Sequence, residues 1–583
     1  MSNYKLIYFD GRGFGKPARQ LFHLAGVPFE DIRVSFEELM PGKQSESWLE
    51  MKEKTPFGRL PVLTMDGFEL AQSAAINRYL AKKFGYAGRD SEEEAWVDAI
   101  VDEFKDYMEC LRPYIYGQRD GKSEEELKKI HDEVFVLVKN KFLNSVDKIL
   151  KNNKSGYLVG NGLTWADLVV ADHLHTLDNI KELDDVSWLN LKKYQEMIYS
   201  LPELKSHIYT RPKREIKQLF LSVHIIIPNP SKYYFLFPMN FVCENLVLFI
   251  MISMDTMHYH HLIYLFCAHF ISKHVLSQNV MLENADKWRE SVILLELLLR
   301  PLRNFRMESN IEREAEKERK RKYEGGERRS RHTDSSIKRP GWRILSESAS
   351  LFDLFQFSSV VKPLNNFQKT PYLNMPTYKL TYFDVRGYAE PARILFHLAG
   401  VPFEDKRITH GDGTWEKLKD KTPFGQVPVL SVDGFDIPQS AAIVRYLAIK
   451  FGFAGKTPEE QAWADAIVDQ FKDFMASFRQ LIMAQRGGKS AEEIAKISSE
   501  VAIPARDSYF KIINGLLEKS KSGYLVGNSL TFADLVVVEN ITTLEKNQFF
   551  TASEHPKLVA LREKVYAIPA IKNWVATRPD TQF

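Results

Sequence analysis

The chain reads as an α/β sheet domain followed by an all-α domain, with the pair present twice. Three observations carry this. Tyr4 to Asp31 (YKLIYFDGRGFGKPARQLFHLAGVPFED) returns at Tyr378 to Asp405 (YKLTYFDVRGYAEPARILFHLAGVPFED) without a gap, 22 of 28 positions being identical. Such self-similarity marks a duplicated unit. Each copy opens with period-two alternation, passes an Arg-Gly turn and enters a 3.6-residue pattern, the order strand, turn, helix. Beyond about Ser91, apolar residues recur at three and four as far as about Pro212, which is helix without strand.

The elements follow in order. Tyr4–Phe9 is the first strand. Pro17 opens a helix that Gly26 closes, and Val27–Val34 is a second strand. Ser35–Glu53 is polar and loop-like, with Trp48 and Lys52 in a short helical turn. Thr55 to Leu63 (TPFGRLPVL) leads into a third strand, and Asp66-Gly67 is a hairpin turn. Phe68–Leu70 therefore returns antiparallel, and Gln72-Ser73 starts a helix over Ala74–Phe84. A crossover followed by a hairpin makes a mixed four-stranded sheet, the thioredoxin-like pattern. In the all-α part the periodicity predicts helices over Ala95–Leu111, Leu127–Leu150, Ala166–Leu177 and Leu189–Ile198. Thr164-Trp-Ala-Asp167 and Thr531-Phe-Ala-Asp534 have capping-box form.

The expected domains are 1–85 (sheet) and 86–212 (helical), then 375–452 and 453–583. Between them, 213–374 changes composition abruptly and matches neither repeat. Met375-Pro-Thr-Tyr-Lys-Leu parallels Met1-Ser-Asn-Tyr-Lys-Leu, and Thr210-Arg-Pro212 parallels Thr577-Arg-Pro579. The middle thus reads as disordered or as sequence translated between two neighbouring genes, the second being favoured. Tyr233–Met254 is long and apolar enough to be a weak membrane candidate. Glu244 and Pro238 near its centre argue against insertion.

The net charge of +3, with 79 basic and 76 acidic residues, gives no field for nucleic acid. Cys110, Cys243 and Cys267 form neither a disulfide framework nor a zinc pattern; no metal site is expected. The absence of disulfide spacing and of a signal-like N-terminus makes the cytoplasm the expected compartment. Tyr8 and Tyr382 end their strands, and in open α/β sheets ligands gather at the carboxyl ends of strands.

Tyr-Phe-Asp-x-Arg-Gly, Pro-Phe-Gly-x-x-Pro-Val-Leu, Gln-Ser-Ala-Ala-Ile and Gly-Tyr-Leu-Val-Gly-Asn-x-Leu-Thr-x-Ala-Asp occur in order, twice. Together they resemble cytosolic glutathione transferases. The opening Tyr-Lys-Leu-x-Tyr-Phe is most similar to the sigma class, which includes invertebrate forms and haematopoietic prostaglandin D synthases. The resemblance covers 1–212 and 375–583. It implies conjugation of reduced glutathione, as co-substrate, to small hydrophobic electrophiles, with no tightly bound cofactor. Peroxidase or prostaglandin isomerase side activity is also implied. Family members are dimers, so the repeats pair with each other or with other copies. The alternative is a non-catalytic glutathione-binding or crystallin-like relative.

Carried over residue by residue, the resemblance makes Tyr8 and Tyr382 the catalytic tyrosines. A thiol of pKa about 8.5 is mostly protonated at neutral pH, and a phenol donating to sulfur favours the thiolate nucleophile. Ser73 and Ser440 open helices whose amides suit the γ-glutamyl carboxylate, with Gln72 and Gln439 beside them. Leu60-Pro61 and Val427-Pro428 match the family's cis-proline, preceded by Arg59 and Gln426. Trp48 with Lys52, and Trp415 with Lys419, take the glycine end. Asp106 and Asp473 match an acid that reaches the other subunit's glutathione, and Arg12 and Arg386 organise the site. Three departures stand out. Lys16 replaces the usual acid kept as Glu390. Seven extra residues precede Trp48 in repeat one. Phe14 and Tyr388 stand where the prostaglandin synthases have arginine.

Overall fold

A computed structural model describes residues 3–39, 44–117, 121–184, 186–210, 376–409 and 411–582, and both repeats lie in one compact unit. The middle segment, including 233–254, is outside the described residues. Among the described residues, no helix is long and apolar enough to cross a membrane.

Repeat one begins β1 (Tyr4–Phe9), α1 (Lys16–Ala25), β2 (Phe29–Val34), α2 (Glu46–Lys54), β3 (Val62–Met65), β4 (Phe68–Ala71) and α3 (Ser73–Phe84). The sheet order is β2-β1-β3-β4. β1 runs parallel to β2, and β3 is antiparallel to both β1 and β4. This is the expected mixed sheet. Tyr4, Leu6 and Tyr8 are buried along one face of β1, as period-two alternation requires. Asp66 (φ 50°) and Gly67 (φ 86°) both take positive φ in the β3–β4 hairpin, the condition of a type I′ turn. α1 and α3 each stop at a left-handed glycine, Gly26 and Gly85.

The helical domain contains α4 (Ser91–Ile115), α5 (Glu124–Ile130), α6 (Val136–Asn152), α7 (Trp165–Asn179), α8 (Leu189–Tyr199) and α9 (Pro202–Thr210). The helix expected over Leu127–Leu150 is interrupted by one wide π turn at His131–Phe135, which apolar spacing does not reveal. Both capping boxes form: Asp167 accepts from the Thr164 N–H (2.8 Å) and hydroxyl (2.8 Å), and Asp534 does the same for Thr531.

Repeat two repeats the plan: β5 (Tyr378–Phe383), α10 (Glu390–Ala399), β6 (Glu404–Ile408), α11 (Thr414–Lys419), β7 (Val429–Val432), β8 (Phe435–Pro438), α12 (Ser440–Phe451), α13 (Pro458–Arg486), α14 (Ala491–Ile497), α15 (Ile503–Lys519), α16 (Phe532–Lys546), α17 (Pro556–Tyr566) and α18 (Pro569–Thr577). Its sheet order is β6-β5-β7-β8.

The repeats meet through α3 and α4 on one side and α12 and α13 on the other. Buried Arg78 bonds Asp98 (2.7 Å) and lies 3.5 Å from Asp465 across the boundary. Arg445 mirrors it, on Asp465 (2.6 Å) and Asp98 (3.1 Å). Lys105 reaches Asp469 (3.2 Å), and Lys472 reaches Asp102 (3.0 Å). Burial alone would raise the Asp102 carboxyl; Lys472 and Arg445 outweigh it and hold it down at about 2. Phe57 packs edge-on to Trp463 (5.6 Å), and Trp96 to Phe424 (6.0 Å), closing the apolar ends.

Candidate active site

Tyr8 is the penultimate residue of β1 and is buried. Its hydroxyl accepts the Phe14 N–H at 3.0 Å. The Tyr382 hydroxyl accepts the Tyr388 N–H at 3.3 Å. The Arg-Gly turn folds over each ring. A Cβ on Gly15 would stand 2.5 Å from the Tyr8 ring, and one on Gly387 (φ +42°) 2.8 Å from the Tyr382 hydroxyl. At Gly387 the positive φ and the close approach together favour glycine; at the place of Gly15 repeat two carries Ala389. Burial pushes both phenols up to about 12, against the lowering effect of those N–H groups. Each phenol therefore stays protonated at neutral pH. Its oxygen already accepts one bond, so its hydrogen is the part left to donate.

A helix follows the last strand of each sheet, α3 after β4 and α12 after β8. Gln72 and Gln439 sit at φ 70° and 68°, a conformation that costs a non-glycine residue about 1–3 kcal/mol and concentrates at ligand sites. Neither side chain caps its own helix; both turn to the opposite repeat. Gln72 Nε2 donates to Gln470 (2.9 Å) and Asp473 (3.0 Å), and Arg59 Nη1 to Asp473 (3.3 Å). Gln439 Nε2 donates to Glu103 (2.8 Å) and, longer, to Gln426 (3.5 Å). Asp106 pairs instead with Lys472 (3.5 Å). Ser73 and Ser440 are the first residues of α3 and α12, where amides are unpaired within the helix. Leu60-Pro61 and Val427-Pro428 are cis.

Trp48 is buried on Phe9 (5.4 Å between rings), and Trp415 lies on Phe383 (5.5 Å). Lys52 and Lys419 are exposed one helical turn on. Arg12 is turned to the helical domain: its guanidinium bonds the Asp172 carboxylate (2.7 Å) and carbonyl (3.0 Å). Arg386 pairs with the Glu539 carboxylate (3.3 Å). Both thus brace the turn behind the phenol. Glu390 accepts from Arg393 (3.1 Å), Trp574 (2.7 Å) and Arg578 (2.9 Å). Lys16, buried at the same place, offers no carboxylate for such a network.

Sequence reasoning missed Glu103 and Gln470, the cross-repeat partners of the two glutamines. Aligning the helical domains at their 367-residue spacing would have flagged this column, since Glu103 faces Gln470 in that alignment.

Both repeats resemble known proteins of one family. A family model described as "Glutathione S-transferase, N-terminal domain" matches residues 4–82 and 378–449. One described as "Glutathione S-transferase, C-terminal domain" matches 105–211 and 472–578. Glutathione S-transferase 4 of Caenorhabditis elegans is 53% identical over 207 residues, 36% of this chain and 99% of that protein. Glutathione S-transferase 1 of Ascaris suum is 49% identical over 209 residues, 36% of this chain and 100% of that protein. Hematopoietic prostaglandin D synthase of Gallus gallus is 43% identical over 207 residues, 36% of this chain and 99% of that protein.

Proposed function

This chain belongs to the glutathione S-transferase family, and on that premise we propose that it carries two glutathione-conjugating sites, one in each repeat. In each, a protonated phenol, Tyr8 or Tyr382, donates to the glutathione sulfur and favours its thiolate. The thiolate attacks an electrophilic carbon of a small hydrophobic acceptor, and the leaving group departs or the adduct takes up a proton. The α3 and α12 amides at Ser73 and Ser440 receive the γ-glutamyl carboxylate, with Gln72 and Gln439 beside it. Leu60 and Val427 pair with the cysteinyl backbone. Trp48 with Lys52, and Trp415 with Lys419, border the glycine end.

The repeats act as each other's partner. Asp473 and Asp106 serve the site of the opposite repeat, so one chain does the work of a dimer. Glutathione is co-substrate, no tightly bound cofactor is needed, and the cytoplasm is the compartment. Peroxidase or prostaglandin isomerase turnover is a secondary activity, the second suggested by the prostaglandin D synthase among its relatives.

The reading rests most on one observation: a buried phenol kept in its donor state at the carboxyl end of each first strand. Turnover of a chlorinated dinitrobenzene by Tyr8→Phe, Tyr382→Phe and the double variant tests it. Each single variant is expected to keep one site's share, and the double variant to fall about 100-fold, the equivalent of about two pKa units on the thiol. An undiminished double variant would favour a binding protein that keeps the fold without the chemistry.

A further inference from the structure

The two glutamines before the helix starts meet unlike surroundings. Gln72 donates to the neutral Gln470 amide (2.9 Å) and to Asp473 (3.0 Å). Asp473 is also held by Arg59 (3.3 Å) and Lys105 (3.8 Å). At the places of Arg59 and Gln470 the second site has Gln426 and Glu103. Gln439 accordingly donates to the Glu103 carboxylate at 2.8 Å. Asp106 has Lys472 alone as a cation among the described residues, at 3.5 Å. The first site thus faces one carboxylate that two cations share. The second faces two carboxylates, and a cation reaches only one of them.

Glu103 is the unusual member. It is 5% exposed. Among the described residues its side chain bonds only the Gln439 amide and makes no ion pair. A buried carboxylate without a counter-charge is costly, and such a group gains most from a cation. Burial pushes this carboxyl up to about 7, and Asp106 adds to the rise. The amide it holds belongs to the residue before Ser440, where the γ-glutamyl carboxylate of glutathione is received. The α-ammonium of that group is carried by the same carbon as the carboxylate. A thiol seated there brings its cation to the Gln439 side chain, and so to Glu103. The equivalent place beside Gln72 holds an uncharged amide.

We propose that Glu103 binds the α-ammonium of the γ-glutamyl thiol at the second site, so that this site demands a free amino group there, whereas the first site also accepts related thiols whose amino group is missing or acylated. This rests on the seating of the γ-glutamyl end at Ser73 and Ser440. The contact is a charge-assisted hydrogen bond between a buried carboxylate and an ammonium. It gives Glu103 the cation that its protein neighbours do not supply. The first site has Asp473 in its place, but Arg59 and Lys105 already share that charge, so the ammonium is held less tightly.

The test uses the full chain at pH 8. The thiols are glutathione and its deamino analogue, glutaryl-cysteinyl-glycine, and the acceptor is a chlorinated dinitrobenzene. Tyr8→Phe leaves the second site working and Tyr382→Phe the first. The glutathione-to-analogue ratio of kcat/KM is expected to be about tenfold higher in Tyr8→Phe than in Tyr382→Phe, the worth of one hydrogen bond to a charged group, with the difference in KM. Adding Glu103→Gln to Tyr8→Phe brings the ratio down to the first site's, and adding Gln470→Glu to Tyr382→Phe raises it. Glu103→Gln still offers the Gln439 amide an acceptor, so a role confined to that bond would leave the ratio unmoved. Equal ratios at the two sites, or a ratio that survives Glu103→Gln, overturn the proposal. Equilibrium binding of the same thiols to the Tyr8→Phe/Tyr382→Phe chain reads the ammonium contact without the phenols. One of its two sites is expected to favour glutathione over the analogue about tenfold more than the other does, and Glu103→Gln to abolish that difference. Full turnover by this double variant would overturn the phenol assignment while the binding difference upholds Glu103. Binding that prefers glutathione at neither site would overturn the seating of the γ-glutamyl end, and the proposal with it.

Discussion

Tyr8 and Tyr382 occupy the same strand position and accept N–H groups at 3.0 and 3.3 Å, yet the residues facing the adjoining helix starts are unlike. Gln72 meets neutral Gln470 and the Asp473 carboxylate; Gln439 meets the Glu103 carboxylate. Lys16 and Glu390 differ in charge, as do Glu109 and Ala476. The duplicated unit has kept the buried phenol and the glutamine-led helix start and has varied the residues at the border between the repeats. Two copies in one chain can diverge in this way because each border is built partly by the other copy, so a change in one repeat alters the site of its neighbour.

The largest effect should come from breaking the symmetric boundary. Arg78→Ala leaves Asp98 and Asp465 buried without that cation, and Arg445→Ala leaves the same two acids. Each should cost about 3–5 kcal/mol in urea unfolding of the full chain, and the two costs should agree within about 1 kcal/mol, within the scatter of such mutational values. A cost in only one of them would show the boundary to be unsymmetrical.

Next comes Glu103, where the two sites differ most. Burial first, then Asp106, push its carboxyl up to about 7, while Lys141, Lys472 and the Gln439 amide pull the other way. In the unfolded chain it titrates near 4.3. The folded state therefore holds this proton more tightly. The stability contributed is full below about pH 4 and is lost as pH rises to about 7, as much as about 3 kcal/mol. Glu103→Gln should remove this loss, so that its urea midpoint exceeds the wild type's at pH 8 and matches it at pH 4. The mirror change, Gln470→Glu, should introduce the loss.

A smaller effect is expected from the acids that cross the boundary. Asp473 accepts from both Gln72 and Arg59, whereas Asp106 pairs only with Lys472 among the described residues. Asp473→Ala should raise the KM for glutathione at the first site about fivefold, near 1 kcal/mol. Asp106→Ala should move the second site less. Site-resolved kinetics in the Tyr8→Phe and Tyr382→Phe backgrounds would read the difference.

Much of this was legible in the chain itself. Alternation in Tyr4–Phe9, the Asp66-Gly67 turn and the Thr164–Asp167 box are local signals, and each produced the element expected. The site residues came mainly from motifs rather than from spacing. What stayed hidden is not local. The Arg78–Asp465 and Gln439–Glu103 contacts join residues more than 330 positions apart, and no periodicity encodes them. The bracing of Arg12 by Asp172 was hidden for the same reason. The wide turn at His131–Phe135 escaped because one added residue hardly disturbs an apolar stripe.

The central claim is that two buried phenols ionise two bound thiols. Thiolate ultraviolet absorbance of glutathione, titrated against the full chain at pH 7, measures this directly. Two equal portions of thiolate per chain are expected, with Tyr8→Phe and Tyr382→Phe each removing one and the double variant both. Thiolate that persists undiminished in the double variant, with glutathione still bound, would contradict the account.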